Sequence, residues 1–285
     1  MNRVVPLLLA ALTVGACADP VAPAGGLLAP EGPALIVNGS PDAANAWPAV
    51  GALMYDRDGD GTFAARERRC TGTLISPTHF LTAAHCLVGL PANVTGRLAV
   101  SFEGDLVTGP SRVVASGYVM DPRYSYSDNL GAATVYDQAV VSLPDGATAG
   151  ITPMRLPTVA ILDQMRAAGT LANATFINVG YGLDASRRGQ PTYYNNFYRR
   201  MTSRSPFLAL TQTGLALLIN RNATGEGGDC NGDSGGPKFL DLDGYRDVVM
   251  ATVITGDKPC RATSWDWRLD TPEARSFLTQ FVALP

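Results

Sequence analysis

Only two histidines occur among the 285 residues. One of them, His85, stands in Thr82-Ala83-Ala84-His85-Cys86, where small neighbours leave an imidazole room to work. Far downstream, Gly232-Asp233-Ser234-Gly235-Gly236-Pro237 presents a serine on a glycine-rich turn. A serine hydroxyl is a weak nucleophile at its own pKa and attacks an acyl carbon only when a neighbouring imidazole takes its proton. His85 and Ser234 therefore qualify as base and nucleophile. A third group has to orient the ring and balance its cation. Asp137 is the best candidate, because it heads the apolar run Ala139-Val140-Val141-Ser142-Leu143, which would carry it inward as a strand. Asp121 and Asp128 lie in loop sequence punctuated by Pro, Tyr and Gly and read as solvated. His79, in Pro77-Thr78-His79-Phe80-Leu81, reads as a structural strand residue with no metal-ligand set near it.

Chain order narrows the chemistry. Gly232-Asp233-Ser234-Gly235-Gly236 also satisfies G-x-S-x-G, but enzymes with that elbow run serine, acid, histidine, and no histidine follows Ser234. The order acid, histidine, serine fails for Asp137, so His85, Asp137, Ser234 remains.

With these segments and Gly180-Tyr181-Gly182, the chain from about Ile36 to its end resembles the trypsin/chymotrypsin-type serine endopeptidases. T-A-A-H-C at 82–86, the acid-headed strand at 137–140 and G-D-S-G-G-P at 232–237 are highly specific together. The resemblance implies peptide-bond hydrolysis through an acyl-enzyme on Ser234, with His85 as general base and acid and Asp137 orienting it. It implies that the N–H groups of Gly232 and Ser234 receive the negative charge that builds on the carbonyl oxygen. Protein or peptide substrates follow, and no cofactor is required. The competing reading is a catalytically silent binding protein on the same fold, favoured by Ile254-Thr255 where the family carries Ser-Trp.

The elements that must hold these residues read as all-β. Short Val-, Leu- and Thr-rich runs recur between turn signals at 49–55, 72–76, 98–102, 112–119 and 248–255. Helical spacing is convincing only from Thr271, a cap followed by Pro272, with Phe277, Leu278 and Phe281 on one face. The architecture implied is two packed antiparallel β-barrels, about 36–150 and 151–270, followed by a C-terminal helix over 271–282, with the active site in the cleft between the barrels. A polar Tyr/Asn-rich stretch from Ala185 to Arg204 reads as a surface loop bordering that cleft. The net charge of −3 and the absence of a basic stripe argue against nucleic acid as a partner. A monomer is expected.

Residues 1–17 carry Arg3 and an apolar stretch from Val4 to Val14, too short to span a bilayer, and read as an export signal. Val14-Gly15-Ala16-Cys17 resembles a bacterial lipobox, which would lipidate Cys17 and anchor the chain to a membrane. The other four cysteines suit disulfides Cys70 to Cys86 and Cys230 to Cys260, leaving Cys17 over. Residues 18–35, rich in Ala, Pro and Gly, form a tether or propeptide before the peptidase domain at 36–285. Ile36-Val37-Asn38-Gly39 resembles the family's mature start, so cleavage before Ile36 would free an amine to pair with Asp233 and release the domain. The expected location is the cell envelope or, after processing, the extracellular space.

By resemblance the primary substrate pocket takes Gly228 at its base, with Gly256 and Ser264 on its walls. The aspartate that selects basic side chains is absent from that base position. Asp229 could face the pocket or point away, and a medium apolar or mixed preference is expected. Asp56, Asp58, Asp60 and Glu67 fit a D-x-D-x-D-G-x5-E calcium loop, flanked by strands rather than helices. Read one way they hold a stabilising calcium ion remote from catalysis, and read the other way they form a solvated hairpin tip.

Overall fold

The chain is seen here as a computed structural model describing residues 39–125, 135–183, 198–219, 227–257 and 259–285. The apolar runs are too short for helices and are separated by turns, so they satisfy their backbone groups by pairing with neighbouring runs. Strand β1 (Ser40–Pro41) is a short edge strand. The first sheet follows with β2 (Val50–Tyr55), β3 (Arg68–Ser76), β4 (His79–Thr82), β5 (Leu98–Ser101), β6 (Val113–Val114), β7 (Gly117–Met120) and β8 (Ala139–Ser142). The second takes β1 with β9 (Thr175–Gly180), β10 (Met201–Leu210), β11 (Gly214–Leu218), β12 (Pro237–Leu240), β13 (Val249–Gly256) and β14 (Thr263–Arg268).

All named strand pairs are antiparallel. The second sheet runs β1-β10-β11-β14-β13-β12-β9, and an extra β9 to β10 pairing closes six of its strands into a barrel. The first runs β6-β5-β2-β3-β4-β8-β7 and curls as a half-barrel. This is the two-barrel arrangement implied by the resemblance, with closure complete in the second barrel alone.

The centres of β4 and β8 are buried on both faces, so Phe80-Leu81 and Val140-Val141 are apolar at successive positions rather than alternating. Phe80 and Val141 face the core of the first sheet. Their neighbours Leu81 and Val140 face a second cluster with Val179, Phe239, Ile254 and Trp267 from the other sheet. The register is His79 opposite Ser142 and Thr82 opposite Ala139. It brings the end of β4, which leads to His85, beside the start of β8, which follows Asp137.

Helix α2 (Pro272–Leu278) starts where the sequence predicts, with Thr271 Oγ1 accepting from Ala274 N at 3.2 Å and Ala274, Phe277 and Leu278 buried. It ends at Leu278, short of the expected 282. Phe281 still packs on Phe277 and on the His79 ring, at centroid distances of 5.1 and 5.6 Å. Helix α1 (Ile161–Ala167) was not foreseen. It has no side-chain cap of its own, and Asp270 Oδ2 accepts from Leu162 N at 2.9 Å across the fold. No helix among the described residues is long and apolar enough to cross a membrane.

Candidate active site

His85 sits in a single 3-10 turn, Ala84–Cys86, directly after β4. Asp137 is fully buried just ahead of β8. Its two oxygens hold His85 at two points: Oδ1 accepts from the His85 backbone N at 2.8 Å, and Oδ2 lies 2.7 Å from Nδ1. A carboxylate beside Nδ1 keeps a proton there and leaves the Nε2 lone pair available. The ring side chain retains 15% exposure, so that lone pair is not sealed in the core.

Ser234 arrives from the second sheet. Its carbonyl accepts from Thr71 N at 3.0 Å and lies 3.8 Å from Cys86 Sγ, next in sequence to His85. Gly235 makes this approach possible. Its φ is +77°, and a Cβ there would strike Thr82 Oγ1 and come within 2.5 Å of Ala83 N and 2.6 Å of Thr71 O. Gly235 N then donates to Val253 O (2.7 Å) and Val253 N to Gly236 O (2.9 Å), fixing the turn to β13. Ser234 Oγ and His85 Nε2 share no hydrogen bond here, and such bonds often tighten only when substrate binds. Gly232, at φ +100°, and Ser234 spend neither N–H on another described residue.

Behind Ser234, Asp233 is buried with Oδ1 accepting from Gly182 N (2.7 Å) and Oδ2 from Cys230 N (2.9 Å). A side chain at Gly180 or at Gly182 would collide with this carboxylate, which explains the glycines around Tyr181. Burial, and secondarily the Asp229 charge, pushes the Asp233 carboxyl up to about 7, against its two N–H donors and the Arg68 guanidinium. Arg68 lies half-buried beside it, its Nε and Nη1 out of solvent and lacking hydrogen-bond partners among the described residues. Ile36 and Cys17 lie outside the described residues, as do Asp128 and residues 185–197 of the expected cleft loop; the end of that segment is corrected, since Arg200 and Met201 are buried and Met201–Arg204 begin β10.

Both expected disulfides are present, Cys70 to Cys86 beside His85 and Cys230 to Cys260 beside the Ser234 turn. They occupy the sulfurs that cluster near His85, which excludes those thiols as metal ligands there. His79 is structural as read, with Nδ1 2.8 Å from Ser76 Oγ. Asp121 corrects its reading as solvated: it is 1% exposed, paired with Arg123 at 2.7 Å and accepting from Gln138 Nε2 at 2.8 Å. The loop motif around it concealed an arginine two residues on, close enough to neutralise a buried carboxylate.

Of the residues expected to line the substrate pocket, Asp229, Gly256 and Ser264 are neighbours at the second sheet. Gly228 is buried against Ile219, whose side chain leaves no space for a Cβ. Gly256 pairs with Ser264 between β13 and β14. Asp229 is 5% exposed and bound to Lys238 and Ser264, a use of its carboxylate not read from the sequence. Ile254 is buried in the core between the sheets. A cavity of about 820 Å³ lined by Met154, Tyr245, Met250 and Val282 shares none of these residues.

In the acidic loop, carboxylate oxygens of Asp56, Asp58 and Asp60 lie within 4.8 Å of one another. Asp56 accepts from Gly59 N and Gly61 N, and Asp58 pairs with Arg66 at 3.1 Å. Glu67 is not gathered with them: it turns back to accept from Arg57 N (2.8 Å) and Ala64 N (3.0 Å).

A two-barrel fold that brings a carboxylate-held imidazole to a serine turn defines a serine endopeptidase, a hydrolase of peptide bonds in proteins or peptides. The chain belongs to the trypsin family, whose sequence profile matches residues 36–265. It is 33% identical over 268 residues to a venom serine protease of Polistes dominula, covering 88% of this chain and 84% of that one. It is 25% identical over 241 residues to human chymotrypsin-like elastase family member 1, covering 82% and 86%. The VesB protease of Vibrio cholerae shares the fold with a TM-score of 0.60 at 18% identity, over 86% of this chain and 67% of that one.

Protonation of Asp233 and Asp266, both raised to about 7, ties stability to pH. Between about pH 4 and 7 the unfolded chain has released protons that the folded chain keeps, so stability falls as pH rises through that window. For one such group the full effect is at most about 4 kcal/mol. The uncut chain should therefore have a higher urea midpoint at pH 5 than at pH 7.5, and Asp233→Asn should flatten the difference. An unchanged pH slope in that variant would contradict the assignment.

Proposed function

We propose that Ser234 attacks the peptide carbonyl while His85 Nε2 takes its proton, and that His85 then returns the proton to the leaving amine. Asp137 keeps the ring in the required tautomer and balances the imidazolium that forms. The Gly232 and Ser234 N–H groups stabilise the oxyanion. Water hydrolyses the resulting ester on Ser234 by the same proton path in reverse. The observation carrying this reading is the two-point hold of Asp137 on His85, which fixes both the backbone and the ring.

The protein is proposed to be exported, in a bacterial envelope, as a monomeric precursor lipidated at Cys17. Cleavage before Ile36 frees an amine that joins Asp233 and supplies the cation this buried carboxylate needs. Intact-mass analysis of the active form checks this: an N-terminus still carrying Ala34 contradicts it. The alternative, a silent binding protein, draws on buried Ile254, which carries no hydroxyl where the family resemblance places a serine.

A fluorophosphonate probe discriminates the two. Protein beginning at Ile36 should be labelled stoichiometrically at Ser234 and not at all as Ser234→Ala. Asp137→Asn should lower kcat by about 10⁴-fold, the value of that substitution in the trypsin-type template from which it is taken. Folded, disulfide-intact protein that takes no label would contradict the peptidase mechanism and favour the binding-protein reading instead.

Calcium at Asp56, Asp58 and Asp60 is proposed as structural, because three clustered carboxylates form an all-oxygen donor set suited to a hard cation. Calcium should raise Tm and EGTA lower it, in the native protein but not in Asp58→Asn. A Tm indifferent to both removes the site.

A further inference from the structure

Under the residues assigned to the substrate pocket lies a buried charge cluster that neither the proposed catalytic groups nor core packing requires. Lys238, on β12, is completely buried, although lysine almost never is unless paired. Its Nζ donates to Asn178 Oδ1 at 2.6 Å and to Asp229 Oδ1, and lies 3.6 Å from Asp266 Oδ1. Asn178 is held in turn by donating to Ser203 Oγ and Ser205 Oγ, at 2.9 and 2.8 Å. The ammonium is therefore locked in place from two strands.

Ser264 Oγ lies 2.5 Å from Asp229 Oδ2 and 2.9 Å from Asp266 Oδ1. A hydroxyl has one proton to give. If Ser264 gives it to one carboxylate, the other must bring a proton of its own. Asp266 is the better placed to carry it: burial raises its carboxyl above the usual carboxylate range, and its Oδ2 has no partner among the described residues. With that proton in place, one cation, Lys238, faces one anion, Asp229.

The consequence falls on the pocket. Gly228 brings no side chain to its base, so Asp229 is the carboxylate it could offer to a basic substrate. Both Asp229 oxygens are already engaged, one by Lys238 and one by Ser264. We propose that Lys238 is a specificity-determining residue, which by pairing with Asp229 makes the pocket take an uncharged side chain on the acyl side of the scissile bond and reject arginine and lysine. The inference rests on the peptidase reading and on the placement of Asp229 and Ser264 in the pocket.

The test uses protein beginning at Ile36, with active enzyme counted by fluorophosphonate labelling. Matched peptide substrates differing only by Leu or Arg at that position are compared for the native protein, Lys238→Met and Lys238→Met/Asp229→Asn. The native protein should favour Leu. Lys238→Met should move the Leu-to-Arg ratio of kcat/KM toward Arg by about tenfold or more, mainly through KM for the Arg substrate. The double variant, which removes the freed anion, should return to the native ratio. Because Lys238→Met leaves a buried carboxylate unpaired and can fail to fold, the native protein alone also decides: a preference for Arg overturns the proposal. A Lys238→Met enzyme that labels fully and keeps the native ratio overturns it as well, leaving the peptidase reading intact. Native protein that takes no label overturns both.

Discussion

The site depends on the close approach of the Ser234 turn to the first sheet, and that approach depends on Gly235 having no side chain. The turn meets Thr71, Thr82 and Ala83 at distances that exclude a Cβ. Its backbone is tied on one side to Thr71 and on the other to Val253. Thr82 Oγ1 donates to Thr71 O at 2.7 Å, so the segment leading to His85 and the strand receiving Ser234 are bonded to each other. The proposed nucleophile and base come from different sheets, and this glycine-permitted contact brings their segments together. A shift of about 1 Å in such an arrangement can cost about 10²-fold in rate.

Around that contact, charge is managed by burial rather than by solvent. Asp137 meets His85 and is sealed from water. Asp233, one residue before the nucleophile, occupies space cleared by Gly180 and Gly182 and relies on backbone N–H groups. Asp229 and Asp266 share a lysine and a serine a few residues away in space. Each buried acid would be costly without a partner, so the second barrel is as much an electrostatic frame as a hydrophobic one. The Cys230 to Cys260 disulfide ties the segment before β12 to the connection between β13 and β14 beside this frame.

The pairing of Asp137 with His85 was legible because these residues sit among unusual neighbours: small residues about His85 and an apolar strand behind Asp137, as glycines stand about Ser234. The strands were legible for the same reason, since turn signals bracket Val50–Tyr55 and Val249–Gly256. What escaped notice depends on partners distant in sequence. Helix α1 is capped by Asp270, 108 residues away. Asp121 looked solvated because its loop is polar, yet Arg123 and Gln138 allow it to be buried. Lys238 follows a proline in a short strand and looked unremarkable, although Asp229 and Asn178 make it a buried cation. Gly180 and Gly182 were visible as a motif, but their purpose, room for Asp233, needed three dimensions.

The central claim is that Asp137 holds the His85 ring with its proton on Nδ1, leaving Nε2 as the free base. With two histidines in the chain, imidazole nitrogen-15 NMR can assign that tautomer directly. At pH 8 the account expects a protonated Nδ1 and an unprotonated Nε2 for His85, with the Nδ1 proton protected from exchange in the native protein and not in Asp137→Asn. A His85 ring carrying its proton on Nε2, in folded protein with both disulfides formed, would contradict it.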